Sequence, residues 1–303
     1  MVRKMIYLIN PISGTQKKEK IKDLIARRTR TEGIHFEIVP SRADGHYEDL
    51  RKKIKRDSIT DVVICGGDGT LNAVVNALQG IDVNIGIIPI GSGNSVALAA
   101  KIPRQTSRAL DIIFKGNAYP VDAFHINEKF SCALCGIGFD AEVAHEFAKQ
   151  KTRGLQTYLR ISTMKFFSSK PYPFEIKMQD RTINTDAYFI SIANSNQFGN
   201  NVTIAPRASM SDGLLDIVIV KKMNKMLLPF SVLLQVAGNN RLMEVVEYFE
   251  EKNIIYVQTD KIIIRNPSHA PMHIDGEPMD TSAEFNIRII PNCFKLLQSP
   301  TPF

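Results

Sequence analysis

The run Val62-Val63-Ile64-Cys65-Gly66-Gly67-Asp68-Gly69-Thr70-Leu71-Asn72 passes from a continuous apolar stretch into a polar, glycine-rich turn. Glycines let backbone N–H groups approach an anion with no Cβ in the way. A helix opening directly after the turn adds partial positive charge at the same place. Together these features suit a phosphate. Asp68 then sets a carboxylate where anions would bind, able to accept a hydroxyl hydrogen bond or to act through Mg2+ that neutralises phosphates. The plain alternative is a tight strand–helix turn with Asp68 as its N-cap. Three glycines around one carboxylate favour the phosphate reading.

Two further loops belong with this one. Asn10-Pro11-Ile12-Ser13-Gly14 follows an earlier apolar run, and Ile88-Pro89-Ile90-Gly91-Ser92-Gly93-Asn94-Ser95 follows a later one. Each is weak by itself. Ligands of open α/β sheets bind outside the carboxyl ends of the strands, so three such loops converge on one crevice. No GxxxxGK[ST] occurs, which excludes a P-loop, and Gly91–Val96 fails the dinucleotide GxGxxG at its last position. No protein-kinase catalytic loop is present. Far downstream, Met272-His273-Ile274-Asp275-Gly276-Glu277 ends a strand in a tight turn presenting two carboxylates. Ser209-Met210-Ser211-Asp212-Gly213-Leu214-Leu215-Asp216 is another Asp-Gly turn, entering a strand. Either turn alone is ordinary.

The elements that must position these residues follow from periodicity. Met5–Ile9, Ile34–Val39, Asp61–Cys65 and Asn84–Ile90 read as strands. Helical spacing covers Lys17–Thr31, Tyr47–Lys55, Thr70–Leu78, Ser95–Ala100 and Thr106–Phe114. This alternation predicts an α/β fold with an open parallel sheet over residues 1–120. From Tyr119-Pro120 onward strands dominate. Val121–Ile126 and Phe130–Cys135 flank an Asn127-Glu128 hairpin turn, and Phe174–Met178 and Ile183–Ala193 flank Asp180-Arg181. Leu214–Val220, Ile254–Gln258, Lys261–Arg265, His273–Ile274 and Glu284–Ile290 follow, interrupted by helices at Ala141–Lys149, Leu155–Phe167 and Leu227–Val236. Residues 121–290 are therefore expected to form a second, β-rich domain, a sandwich. The tail 291–303 is expected to pack back on the first domain, with its Pro-rich last residues, Gln298–Phe303, frayed.

Composition bounds the rest. Of 303 residues, 44% are hydrophobic and 23% charged, enough for a substantial core. No apolar run approaches about 20 residues, and the short apolar start lacks the length and cleavage site of a signal peptide. A cytoplasmic protein is expected. A net charge of +7 favours anionic partners. The basic clusters carry no interleaved aromatics for base stacking, so nucleic acid is not among them. Cys132 and Cys135 form a lone CxxC with no second pair, which reads as two core cysteines in a strand rather than a zinc site.

Taken in order, Asn10-Pro11…Ser13-Gly14, Gly66-Gly67-Asp68-Gly69-Thr70, Pro89…Gly91-Ser92-Gly93-Asn94, Gly136…Gly138-Phe139-Asp140-Ala141, Asp212-Gly213-Leu214 and Asp275-Gly276-Glu277 resemble the diacylglycerol kinase/sphingosine kinase catalytic superfamily. The likeness is to its compact bacterial members and spans nearly the whole chain. It implies an N-terminal phosphofructokinase-like nucleotide domain and a C-terminal β-sandwich. It implies an ATP site lined by Asn10, Ser13, Gly14, Ser41, Gly66, Gly67, Asp68, Gly69, Thr70, Leu71, Asn72 and Ser92. It implies catalytic roles for Glu277 and Asp68, either of which matches a proposed general base, and a Mg2+ site at Asp212 with the carbonyls of Ser209 and Leu214. Gly91-Ser92-Gly93-Asn94-Ser95 departs from the Gly-Thr-x-Asn-Asp of many diacylglycerol-type members, and Asn72-Ala73 from the usual Asn-Glu.

The expected function is ATP-dependent phosphorylation of a lipid hydroxyl, on a diacylglycerol-like or sphingoid-base-like substrate met at an anionic membrane surface. Asp140 would either meet a sphingoid amine or cap its helix. The hydrophobic residues of Leu155–Phe167 would pack on the sandwich, with a minority lining an acyl groove. The rivals are an NAD kinase and an inactive nucleotide- or lipid-binding regulator. Oligomeric state stays open, a homodimer being one option.

Overall fold

The computed structural model describes residues 2–14, 18–150, 155–197, 205–222 and 253–300. The chain divides into two compact units, Met1–Asp122 with Pro291–Phe303, and Ala123–Ile290.

The first unit alternates strand and helix: β1 (Lys4–Ile9), α1 (Lys18–Thr31), β2 (His35–Pro40), α2 (Glu48–Asp57), β3 (Asp61–Gly66), α3 (Asp68–Leu78), β4 (Asn84–Pro89), α4 (Ser95–Ala99) and α5 (Thr106–Lys115). The strands pair in parallel in the order β4-β3-β1-β2. All six residues of β3 are buried, as are five of six in β1 and β4. Such continuous apolar runs are what a parallel sheet covered on both faces demands. Register aligns the strand ends. Ile9 lies opposite both Cys65 and Pro40, and Gly66 opposite Pro89. The loops after β1, β2, β3 and β4 therefore leave the sheet along one edge. At the other end of the strands, Arg3 holds the buried Asp61 through two 3.1 Å bonds and donates to the carbonyls of Ile113 and Phe114. This pair ties β1, β3 and α5 together away from the loops.

The second unit holds β5 (Ala118–Ile126, from Ala123 on), β6 (Lys129–Ser131), β7 (Leu134–Gly138), α6 (Phe139–Ala148), α7 (Leu155–Ser168), β8 (Tyr172–Lys177), β9 (Thr182–Ala193), β10 (Leu215–Lys221), β11 (Ile254–Thr259), β12 (Lys261–Arg265), β13 (Met272–Ile274), β14 (Glu277–Met279) and the first half of β15 (Glu284–Leu297). Side chains from β5, β7, β8, β9, β10, β12, β13 and β15 meet in one core that includes Phe124, Ile137, Ile176, Ile190, Ile217 and Phe285. Strand layers facing each other across a shared core form a sandwich. Alternation on β10 shows the logic: Leu215, Ile217 and Ile219 enter that core, while Val218 and Val220 join Leu134, Ala193 and Ala205 on the other face. The end of β15 adds to the first unit's sheet, Lys295 lying opposite Asn84.

Several expectations shift. The stretch Phe130–Cys135 is not one strand; it breaks at Cys132-Ala133. Asn194 takes the carbonyls of both residues at 2.8 Å, and the Ser131 hydroxyl accepts the Ala133 N–H, so polar partners replace the ladder there. Helix α3 starts at Asp68, two residues before the expected Thr70, which makes Gly67 the N-cap. Gln298 is buried and its N–H donates to Asn117, so the tail is anchored at least that far. The hairpins hold: Ile126 faces Lys129 across Asn127-Glu128, and Lys177 faces Thr182. Helix Leu227–Val236 lies outside the described residues.

Candidate active site

In the first unit the three glycine loops pack on one another. Gly14 sits at φ +67°, and a Cβ there would lie 2.1 Å from the Ile90 carbonyl oxygen. A Cβ on Gly91 would lie 2.5 Å from the Gly67 Cα. These glycines are needed because main chain meets main chain. The loops are also cross-tied. The Asn10 side-chain amide donates to the Thr70 hydroxyl at 2.8 Å, and its oxygen accepts the Ile12 N–H. Ile90 and Gly91 donate to the Gly66 carbonyl at 3.1 and 3.2 Å. Ser41 donates its N–H to Ile9, which places it beside the first loop.

Asp68 is buried and does not cap its own helix. Its carboxylate receives the Ser95 hydroxyl at 3.3 Å and the backbone N–H groups of Asn94, Ser95 and Val96. It therefore closes the amino end of α4, whose N-cap Asn94 stands in the left-handed region with its side chain spent on Gly91. Burial pushes the Asp68 carboxyl above the usual range, while these donors pull the other way. A Cβ on Gly93 would fall 2.8 Å from an Asp68 carboxylate oxygen, so Gly93 leaves room for this contact. Gly67 has no side chain to offer, and the amino end of α3 has no side-chain cap. Its first-turn amides face the loop edge, where Gly69 and Ser92 are exposed. Leu71 is a buried core residue, so its part in the site is limited to its main chain.

In the second unit Ile274 pairs with Glu277 across Asp275 and Gly276, both at positive φ. This is a two-residue hairpin with the Asp-Gly chemistry such turns prefer. The expected pair of presented carboxylates separates here. Asp275 turns inward, accepting the Leu134 N–H at 2.8 Å and the Ser131 hydroxyl at 3.1 Å. Glu277 is exposed. Asp140 lies one residue inside α6, whose N-cap is Gly138, and its carboxylate accepts the Ala141 N–H.

Around Asp212, the donor set is all oxygen. Asp212 accepts the Leu214 N–H at 3.0 Å and remains exposed, and Ser209 is half-buried close by in sequence. Asp216, a strand residue by its sequence pattern, is buried; one oxygen accepts from Tyr256 and Gln258, and the other has no hydrogen-bond partner among the described residues. Burial raises its carboxyl above the usual range, and Asp212 adds to that. Among the described residues no group of three or more His, Cys, Asp or Glu side chains could hold a metal ion, so a hard cation such as Mg2+ would rest on these two carboxylates and on main-chain oxygens. The only sequence sign of Asp216 was an acidic residue inside an apolar strand.

The diacylglycerol kinase catalytic domain matches residues 4–126, and the YegS C-terminal NAD kinase beta sandwich-like domain matches residues 133–298. The chain belongs to the diacylglycerol kinase family. It is 28% identical over 286 residues to a Shewanella frigidimarina protein named "Probable lipid kinase YegS-like", covering 88% of this chain and 89% of that one. It is 26% identical to the diacylglycerol kinase of Bacillus subtilis, covering 90% and 89%. A solved diacylglycerol kinase from Bacillus anthracis str. Sterne shares the fold, with a TM-score of 0.73 at 17% identity over 98% of this chain and 97% of that one. As a diacylglycerol kinase family member the chain is a phosphotransferase of the lipid kinase group. Among the described residues no helix is long and apolar enough to cross a membrane.

Proposed function

We propose that the protein transfers the γ-phosphate of ATP to a hydroxyl of a diacylglycerol-like or sphingoid-base-like lipid. One observation carries the nucleotide half. The amino end of α3 is left without a side-chain cap, inside a ring of glycine loops, because the nearest carboxylate, Asp68, serves α4 instead. Uncapped helix amides beside main chain that can be closely approached suit a polyphosphate. Asn10, Ser13, Gly14, Ser41, Gly66–Asn72 and Ser92 would surround it. Mg2+ brought with the nucleotide would neutralise charge on the phosphates. A second Mg2+, at Asp212 with the Ser209 and Leu214 carbonyls, would serve the structure of the sandwich.

Exposed Glu277 is free to accept the proton of the attacking hydroxyl, as general base. Asp68 supports the reaction by holding α4 and the Gly91–Asn94 loop in place. The lipid would be met at an anionic membrane surface. Helix α7 has no acidic residue, and exposed Arg160, Met164 and Phe167 recur along it at helical spacing. That stripe supports peripheral contact.

The test incubates the protein with labelled ATP and Mg2+ against diacylglycerol, monoacylglycerol, phosphatidylglycerol, sphingosine, ceramide and NAD. Label in one lipid is the expected result. Label in NAD alone would overturn the lipid reading, and no label at all would point to a binding regulator.

A further inference from the structure

Beneath the Asp275-Gly276 turn lies a buried ionisable pair that the mechanism above does not use. His273, fully buried on β13, sits directly opposite Gly136 on β7. Its Nε2 is 3.4 Å from Oδ2 of Asp140, itself buried, a close approach rather than a hydrogen bond. On the other side of the ring, Nδ1 accepts the Gly276 N–H at 3.1 Å. That bond fixes the neutral tautomer: the proton is on Nε2, facing the Asp140 carboxylate. Gly136 makes room for the pair. A Cβ there would fall 1.9 Å from Asp140 Oδ2 and 2.4 Å from His273 Nε2.

A two-residue Asp-Gly hairpin forms without such help. A buried carboxylate and imidazole lose hydration that an apolar pair would not need. Yet this turn is clamped twice, by Asp275 on Ser131 and Leu134 and by His273 on Gly276. The residue after Gly276 is Glu277. We infer that His273 is a positioning residue: its Nδ1 holds the Gly276 amide, and Glu277 is thereby held in its working orientation. This rests on the reading of Glu277 as the base.

The side-chain replacements separate the atoms involved. His273→Asn keeps an acceptor where Nδ1 stands. His273→Gln reaches toward Asp140 but removes that acceptor. His273→Gln should lower kcat by about 10- to 100-fold, the cost of a misplaced reacting group, with the KM for ATP unchanged, and His273→Asn should restore most of it. In a Glu277→Gln background His273→Gln should have no further effect on kcat. Exchange of the Gly276 amide with solvent deuterium should be slow in the wild type and His273→Asn and fast in His273→Gln, while circular dichroism shows each variant folded. Wild-type kcat in His273→Gln, equal losses in the folded Asn and Gln variants, or the same loss repeated without Glu277 would overturn the inference. Unimpaired turnover in Glu277→Gln alone would sink the base assignment instead, and Gly276 exchange would still report on the clamp.

Discussion

The Ser95 hydroxyl donates to the Asp68 carboxylate across 3.3 Å, joining the first turn of α3 to the first turn of α4. Asp68 thus closes a neighbouring helix while its own stays open. Burial raises its pKa, so the folded state holds the proton more tightly than the unfolded chain does. The sign follows by linkage. The stability this residue gives is fully present below the unfolded value of about 3.9 and is lost as pH rises through the folded value. Urea midpoints of the wild type should therefore fall over that window, relative to Asp68→Asn. In the variant an amide NH2 would confront backbone donors at 94–96, a loss of about 1–3 kcal/mol at neutral pH. A pH-independent difference between the two proteins would refute this account.

Glu277→Gln should reduce turnover by about 10²–10⁴-fold, the usual worth of general-base help. Nucleotide affinity, measured by calorimetry, should stay as in the wild type. Near-normal kcat would reject the assignment.

Gly14→Ala should be destabilising by at least about 2 kcal/mol, because the backbone is left-handed there and the new Cβ would press on the Ile90 carbonyl. ATP should bind more weakly, since the loop must move. Chemical denaturation and titration with a nucleotide analogue read both effects. Gly33→Ala, also at positive φ but with open space around it, should cost less and leave binding alone.

Asp61→Ala removes the buried partner of Arg3, Thr60 and Asn84. Arg3 retains some solvent contact, so the expected loss sits at the lower end for a broken buried pair, about 3 kcal/mol. The site is at the opposite strand ends, so kcat at a permissive temperature should match the wild type. A selective fall in kcat with unchanged stability would contradict this division.

Binding to anionic vesicles should weaken with salt, each basic residue near the surface being worth about 1 kcal/mol. Phe167→Ser should weaken it further in co-sedimentation, while vesicles of zwitterionic lipid should hold little of either protein. Salt-insensitive sedimentation would remove the electrostatic part of the proposal.

The linear sequence determined the alternation of strand and helix to about Tyr119, the shift to strands beyond it, and the glycine loops after β1, β3 and β4. Those are local matters of periodicity and of residues without a Cβ, and six motifs in order carried the family. Other features depend on neighbours distant in the chain. That Asp68 caps α4, that Asp275 turns inward to Ser131 while Glu277 stays in water, and that His273 lies between Asp140 and Gly276 were decided by tertiary packing. A carboxylate's partner is whichever donor folding brings within 3–4 Å, and one-dimensional spacing does not encode that distance.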